Sequence, residues 1–298
     1  VVAVSTASIF INRAQAAGVS SLAIAAYRLT LASLILSPLA LRNGLGELAR
    51  LTRRDMLLAL ASGACLGLHF ITWISSLGLT SIASSVVLVT TSPLMVALAS
   101  PLVLREPLRP AMLAGVVVAC VGGILIGLAD RGAGQADSLL GDLLALAGAL
   151  FATGYFLAGR RLRVKLSLLP YIFVVYGTAA VLVDLLALLQ PAQLFAFAPS
   201  GYLWLILLAL VPQLVGHSTF NWALRHASAT LATVPVLGEP VGATLLAALI
   251  LGQIPGPLTL AGGLLVLAGI FLVTYYGARA ATVRIVPAAG DSPGDKPC

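Results

Sequence analysis

The chain has 298 residues, 60% hydrophobic and 9% charged, with 17 Lys and Arg against 10 Asp and Glu and a net charge of +7. A soluble domain carries about 25% charged residues, so this composition excludes a water-soluble fold. The basic excess lies in short loops without the interleaved aromatics of a binding groove, which excludes a nucleic-acid partner and suits anionic lipid.

Ten apolar runs follow one another, each of about 20 residues, the length needed to cross ~30 Å of hydrocarbon. The first, 1–17, carries a polar stripe of Ser5, Ser8, Asn12 and Gln15, with Arg13 beside it. It opens inside an apolar helix, so a trimmed N-terminus is expected there rather than a signal peptide, because no cleavage site follows at Ser20-Ser21. The second, 21–41, holds Tyr27 and Arg28. Arg28 can receive an anionic group, close an outer gate, or snorkel to the outer interface. Its expected partner is Asp184 in the seventh run.

The third run, 55–79, places His69, Trp73 and Ser76 on one helical face. His can bond a substrate carboxylate and Trp can stack on an apolar or cationic group. The competing reading has the His bonded to a carbonyl and the Trp at the lipid headgroups. The fourth run, 81–103, contains Pro93, and the fifth, 109–129, contains Gly123 and Gly127. Such small-xxx-small pairs, like Gly63/Gly67 and Gly238/Gly242, let helices approach closely.

In the sixth run, 138–159, Phe151 and Tyr155 form an aromatic stripe that serves either a site or packing. The seventh is 168–190. The eighth, 201–224, carries Gln213, His217 and Asn221 at i, i+4 and i+8. The ninth, 228–251, has Pro235 one turn before Gly238-Glu239-Pro240. Prolines remove backbone donors and free carbonyls upstream, which predicts a kink. A carboxylate at that depth binds a substrate ammonium, carries a proton, or is protonated and bonded to a neighbouring helix. Pro93, Pro240, Arg28 and Glu239 are therefore candidate gating or coupling positions. The substrate-binding candidates are His69, Trp73, Ser76, Gln213, His217, Asn221, Glu239, Asn12 and Tyr155. After the tenth run, 258–277, residues 278–298 are rich in Pro, Gly and Asp and read as a disordered cytoplasmic tail.

The basic residues orient the runs. Arg42, Arg50, Arg53, Arg54, Arg105, Arg109, Arg160, Arg161, Arg163, Lys165, Arg225, Arg279, Arg284 and Lys296 all fall in alternate connections or the tail. The opposite set of connections holds only Arg131. Cytoplasmic loops collect Lys and Arg, so ten spans with both ends in the cytoplasm are expected. Cys65, Cys120 and Cys298 lack metal-ligand spacing, and neither a metal nor a cofactor is expected.

The chain also repeats itself weakly. A shift of 147 residues superimposes Thr72 on Thr219, Ser81 on Ser228, Pro93 on Pro240, Gly115 on Gly262 and Gly122 on Gly269. Tyr27 and Tyr176 match at a shift of 149. In this register Trp73 falls on Phe220, and His69 falls one residue from His217. The units are 1–130 and 138–277, each of five helices. Five is odd, so the second enters from the opposite side of the membrane. The fold class expected is all-α and polytopic, a 5+5 inverted-topology repeat with a site near the midplane.

Three features carry a family resemblance: the 5+5 layout, Tyr27-Arg28 early in the second run, and the paired Pro93 and Pro240 followed by Leu104-Arg105-Glu106. With these the chain resembles the drug/metabolite transporter superfamily of the EamA type, across about residues 1–277. The second half departs from the pattern at Leu251-Gly252-Gln253, where Gln stands in place of the acid. The resemblance implies an exporter of amino acids or similar amphipathic metabolites in a bacterial inner membrane, with the aromatic amino-acid branch one relative.

No G-x-S-x-G, H-E-x-x-H or phosphate-binding loop is present, so an enzyme or an ATP-driven pump is disfavoured. A receptor or assembly subunit would lack an extramembrane domain to signal through. A nucleotide sugar or sugar phosphate would need several cations in the cavity, and only Arg28 and Arg13 are candidates. A drug is the other alternative cargo. The expected partners are a small-molecule substrate and the bilayer, with two alternatives for energetics, protons as a coupling ion or facilitated diffusion, and with the chain a monomer or weak homodimer.

Overall fold

The computed structural model describes residues 1–80, 82–129, 139–189, 194–251 and 256–283, and they form helices and connecting turns without a strand. Ser81, Arg131, Gly252, Gln253, Arg284, Lys296 and Cys298, singled out in the sequence, lie outside these residues.

The chain opens with α1 (Val2–Ser5) and α2 (Ala7–Ala16), then α3 (Ser21–Asn43), a one-turn α4 (Leu45–Leu48) and α5 (Arg53–Ser76). Capping sets two of the starts. Ser20 accepts the Ala23 N–H at 3.2 Å and Thr52 accepts the Asp55 N–H at 3.1 Å, each satisfying a donor the helix cannot.

The next crossing is broken into α6 (Ile82–Val89) and α7 (Ser92–Val103), with Pro93 in the first turn of α7. Proline fits there because its missing N–H would be unpaired anyway. α8 (Pro110–Ala129), α9 (Leu139–Arg163) and α10 (Leu168–Leu189) come next. A further crossing runs from α11 (Pro199–Leu208) through a π-helical stretch, Ala209–His217, into α12 (Ser218–His226).

The predicted irregularity around Pro235 is a 3-10 turn, Val234–Gly238, between α13 (Ala229–Thr233) and α14 (Glu239–Leu251). The last helix, α15 (Pro257–Val283), continues past Gly277 into the segment expected to be disordered.

Eight helices among the described residues are long and apolar enough to cross a membrane: Ser21–Asn43, Arg53–Ser76, Ser84–Val103, Leu139–Arg163, Leu168–Leu189, Pro199–His226, Ala229–Leu246 and Pro257–Gly277. Pro110–Ile126 is a shorter apolar helix. In α1 and α2 the first run is interrupted at Thr6 and falls below that length.

Helix α5 packs against α9 and α10, α3 against α10, and α2 against α11. Helix α1 lies on the π stretch and on α14. Gly63 lets α5 approach α10: a Cβ there would meet the Val175 carbonyl at 2.7 Å.

α8 and α15 pack along their length through glycines. A Cβ on Gly115 would lie 2.9 Å from the Gly269 carbonyl, and one on Gly122 would lie 2.6 Å from the Gly262 carbonyl. Rising numbers on α8 meet falling numbers on α15, so the two helices are antiparallel. Gly123, expected at a close contact, faces open space instead.

The arginine-rich connections are knitted together. Arg105 ends α7 in a left-handed conformation, φ 57°. A side chain there costs about 1–2 kcal/mol, and the turn presents Glu106 to two partners. One Glu106 oxygen accepts from Arg160 Nε at 2.6 Å and the other from the Ala229 N–H at 2.8 Å. Arg163 corrects its assignment as a loop charge. It is buried, donates to the Asn221 and Leu166 carbonyls, and lies 5.9 Å from the Tyr171 ring.

Candidate functional site

A cavity opens between the helices, with about 490 Å3 of empty space, its open mouth included. Six of the residues read as site or gating positions line it: Arg28, His69, Trp73, Tyr155, His217 and Glu239. They reach it from α3, α5, α9, the π stretch and α14, so helices distant in sequence converge on one space.

Arg28 comes from α3 and is fully buried. Its Nε donates to Gln213 Oε1 at 2.8 Å, and its guanidinium carbon stands 4.0 Å from the Phe70 ring centre. This overturns the snorkelling alternative: the stem points inward, where an amide and an aromatic face receive it. The expected Asp184 pairing is also corrected. Asp184 accepts from Thr30 Oγ1 at 2.8 Å instead.

His69 and Trp73 lie one turn apart on α5, with rings stacked at 5.8 Å and 13°. The His69 Nδ1–H donates to the Gly148 carbonyl at 2.9 Å, so the histidine also makes the carbonyl bond of the competing reading. That bond fixes the tautomer and leaves Nε2 for another partner. His217, at the end of the π stretch, lies 6.4 Å from His69 and 5.1 Å from Phe70, ring to ring.

Glu239 begins α14, directly after the 3-10 turn, and its side chain reaches the same cavity. No ion pair joins it to Arg28. The ion pairs Arg160–Glu106 and Lys165–Asp55 lie among the loops.

Three other candidates support the wall without lining it. Asn221 accepts from the Tyr155 hydroxyl at 2.8 Å and donates to the Tyr176 oxygen at 3.3 Å. Gln213 holds Arg28. Ser76 donates to the Trp73 carbonyl at 2.7 Å and lies 2.6 Å from Ser85 Oγ. Asn12 is a correction: it sits on the exposed face of α2, while Ala7 on the buried face of that helix and Val4 on α1 reach the cavity. Pro93 and Pro240 are buried at helix starts beside it, next to the lining residues Ser92 and Glu239.

Sequence reasoning missed the apolar wall of Val4, Ala7, Val89, Ala152, Phe156, Phe220 and Val236. Alanine and valine carry no chemical mark in an apolar chain. Phe220 carried a signal, because the repeat register sets it on Trp73.

Buried polar atoms normally find hydrogen-bond partners. Four that lack one are Arg28 Nη1, Trp73 Nε1, Gln213 Nε2 and His217 Nδ1. Three of these belong to lining residues and the fourth to the residue that holds Arg28. Unpaired buried groups cost about 1–3 kcal/mol each, and their grouping around one cavity makes it the candidate site.

The profile of the EamA-like transporter family matches residues 1–128 and again 139–275. A curated relative from Streptantibioticus cattleyicolor, named a probable terminal-alkyne amino-acid exporter, is 29% identical over 189 residues. That alignment covers 62% of this chain, and the chain spans about 62% of that relative's length. A crystal structure at 22% identity has the same fold, with a TM-score of 0.76 over 93% of this chain and 94% of the other.

Proposed function

Since the chain belongs to the EamA-like transporter family, we propose that it is a secondary transporter exporting amino acids or similar small amphipathic metabolites by alternating access. The substrate sits in the cavity, between two five-helix repeats, 1–130 and 138–277, that cross the membrane in opposite directions. Ten spans with both ends cytoplasmic follow from the distribution of Lys and Arg.

The observation that carries this reading is the convergence of unpartnered buried polar atoms on a cavity lined from both halves. Arg28, His69 and Trp73 come from the first half, and Tyr155, His217 and Glu239 from the second. The glycine contacts support the repeat. Gly115 matches Gly262 and Gly122 matches Gly269 in sequence, yet Gly115 touches Gly269 and Gly122 touches Gly262. A two-fold axis between antiparallel helices produces this crosswise exchange.

A sugar-phosphate cargo is disfavoured by the placement of Arg13 on the exposed face of α2, which leaves Arg28 as the cationic side chain in the cavity lining. The name of the relative supports an amino-acid cargo.

The test is uptake of labelled amino acids, sugar phosphates and lipophilic cations into proteoliposomes, with and without an imposed pH gradient. Amino-acid flux above empty liposomes is expected. A response to the gradient identifies protons as the coupling ion. Flux confined to another solute class would overturn the assignment of cargo, and no flux at all would overturn transport.

A further inference from the structure

Arg28 and Glu239 present an electrostatic problem. Both are buried and both line one cavity. An arginine keeps its charge in any protein environment. Buried guanidinium groups are normally matched by a carboxylate, since an unmatched charge in low dielectric is costly. Here the match is an uncharged amide, Gln213, on Nε and an aromatic face, Phe70, beneath. Nη1 is left without a hydrogen-bond partner. Glu239, the acid that would neutralise it, shares the lining and acts on it through space, but no hydrogen bond or ion pair joins the two.

We propose that the cavity reads both charges of a zwitterionic amino acid, Arg28 taking the α-carboxylate and Glu239 the α-ammonium. The substrate then completes the pairing that these two residues do not make with each other. The inference rests on the reading of this cavity as the substrate site, and it adds a requirement which that reading does not contain: neither an amine nor a carboxylate alone is a good ligand.

Geometry supports this division of labour. Gln213 occupies Nε and Phe70 covers one face, so the unpartnered Nη1 is the part of Arg28 left to bond a carboxylate, and carboxylates bind guanidinium edges. Trp73 Nε1, also unpartnered, adds a donor to the same lining. Phe156 and Phe220 supply an apolar surface for the side chain. A cationic drug would face Arg28 unmatched, and a simple fatty acid would face Glu239 unmatched.

The experiment measures binding to the purified full chain by ligand-dependent thermal stabilisation, with three probes of one shape. Leucine carries both charges, leucinamide lacks the carboxylate, and 4-methylpentanoate lacks the ammonium. Leucine is expected to bind at least about tenfold more tightly than either, the loss of one charged hydrogen bond.

Glu239→Gln should abolish the preference for leucine over 4-methylpentanoate and keep that over leucinamide. Arg28→Gln should do the reverse. Because each is a ratio measured on one protein, a general loss of stability does not mimic it. If Arg28→Gln does not fold, Gln213→Glu replaces it: a carboxylate placed against Arg28 should weaken leucine by about tenfold and improve leucinamide.

Equal binding of leucine and either analogue would overturn the proposal while leaving amino-acid transport intact. Binding of none of the three would overturn it too, and the separate flux panel then shows whether transport of another cargo survives.

Discussion

Asn221 is the residue on which the polar wall of the cavity hangs. Its amide oxygen accepts from Tyr155 and its amide nitrogen donates to Tyr176, which in turn lies 3.2 Å from Ser218 Oγ. Asn221 and both tyrosines are fully buried, so neither tyrosine hydroxyl can turn to water. Asn221→Leu should destabilise the protein by about 1–3 kcal/mol, the cost of stranding buried polar groups. Asn12→Leu on the exposed face should shift stability by no more than about 0.5 kcal/mol. Thermal unfolding of both variants in one detergent checks the contrast.

This is also the scale at which the sequence was least explicit. It marked Arg28, His69, Trp73, His217 and Glu239 because such groups are rare in hydrocarbon. It did not choose Gln213 over Asp184 as the partner of Arg28, since that choice depends on which helices touch. Nor did it separate Asn12 from Val4 and Ala7. A helix that is apolar nearly all round gives no sign of which face meets protein and which meets lipid.

At the scale of elements, eight of the ten expected runs are helices of spanning length, while the first and fifth fall short of it among the described residues. Runs of lipid-spanning length and the prolines at helix starts obey simple rules. The glycine contact was half legible. The repeat register picked out Gly115, Gly122, Gly262 and Gly269, whereas spacing alone picked out Gly123, where an added Cβ would meet nothing within 4 Å. Gly122→Ala should therefore cost about 1–3 kcal/mol, because the added carbon meets a backbone carbonyl that cannot step aside. Gly123→Ala should be neutral or slightly stabilising, by up to about 1 kcal/mol, through its better helix propensity. Thermal unfolding of the two variants side by side separates these outcomes.

The loops give a pH effect. Glu47 on α4 accepts the Ser167 N–H at 2.7 Å, and this bond holds its carboxyl below the usual range. A depressed carboxyl adds stability above its unfolded pKa, near 4.3, and that share is lost as the pH falls through the lower folded value. The carboxyl is only half-buried and screened by solvent, so the share is roughly a few tenths of a kcal/mol. Glu47→Gln should flatten the acid limb of the stability curve by that amount, measured as the unfolding midpoint from pH 6 downward.

Across the whole molecule, the irregular elements and the site coincide. Of the crossings, the broken pair α6 and α7, the π stretch and the 3-10 turn before α14 each contribute lining residues. The long regular pair α8 and α15 contributes none. The sequence pointed to the 3-10 turn through Pro235, but Pro212 alone did not announce a π-helix nine residues long.

That stretch holds surplus chain. A π-helix has more residues in each turn than an α-helix covering the same height. Rewinding it to the α form would move α12 by a step of about 1.5 Å and about 100° per residue taken up. Every residue between Ala209 and His217 would then face a new direction while α11 and α12 kept their lengths. Two of those residues are Gln213, which holds Arg28, and His217, which lines the cavity. A winding change confined to nine residues would thus unhook the arginine and turn the imidazole aside together, with no hinge loop required.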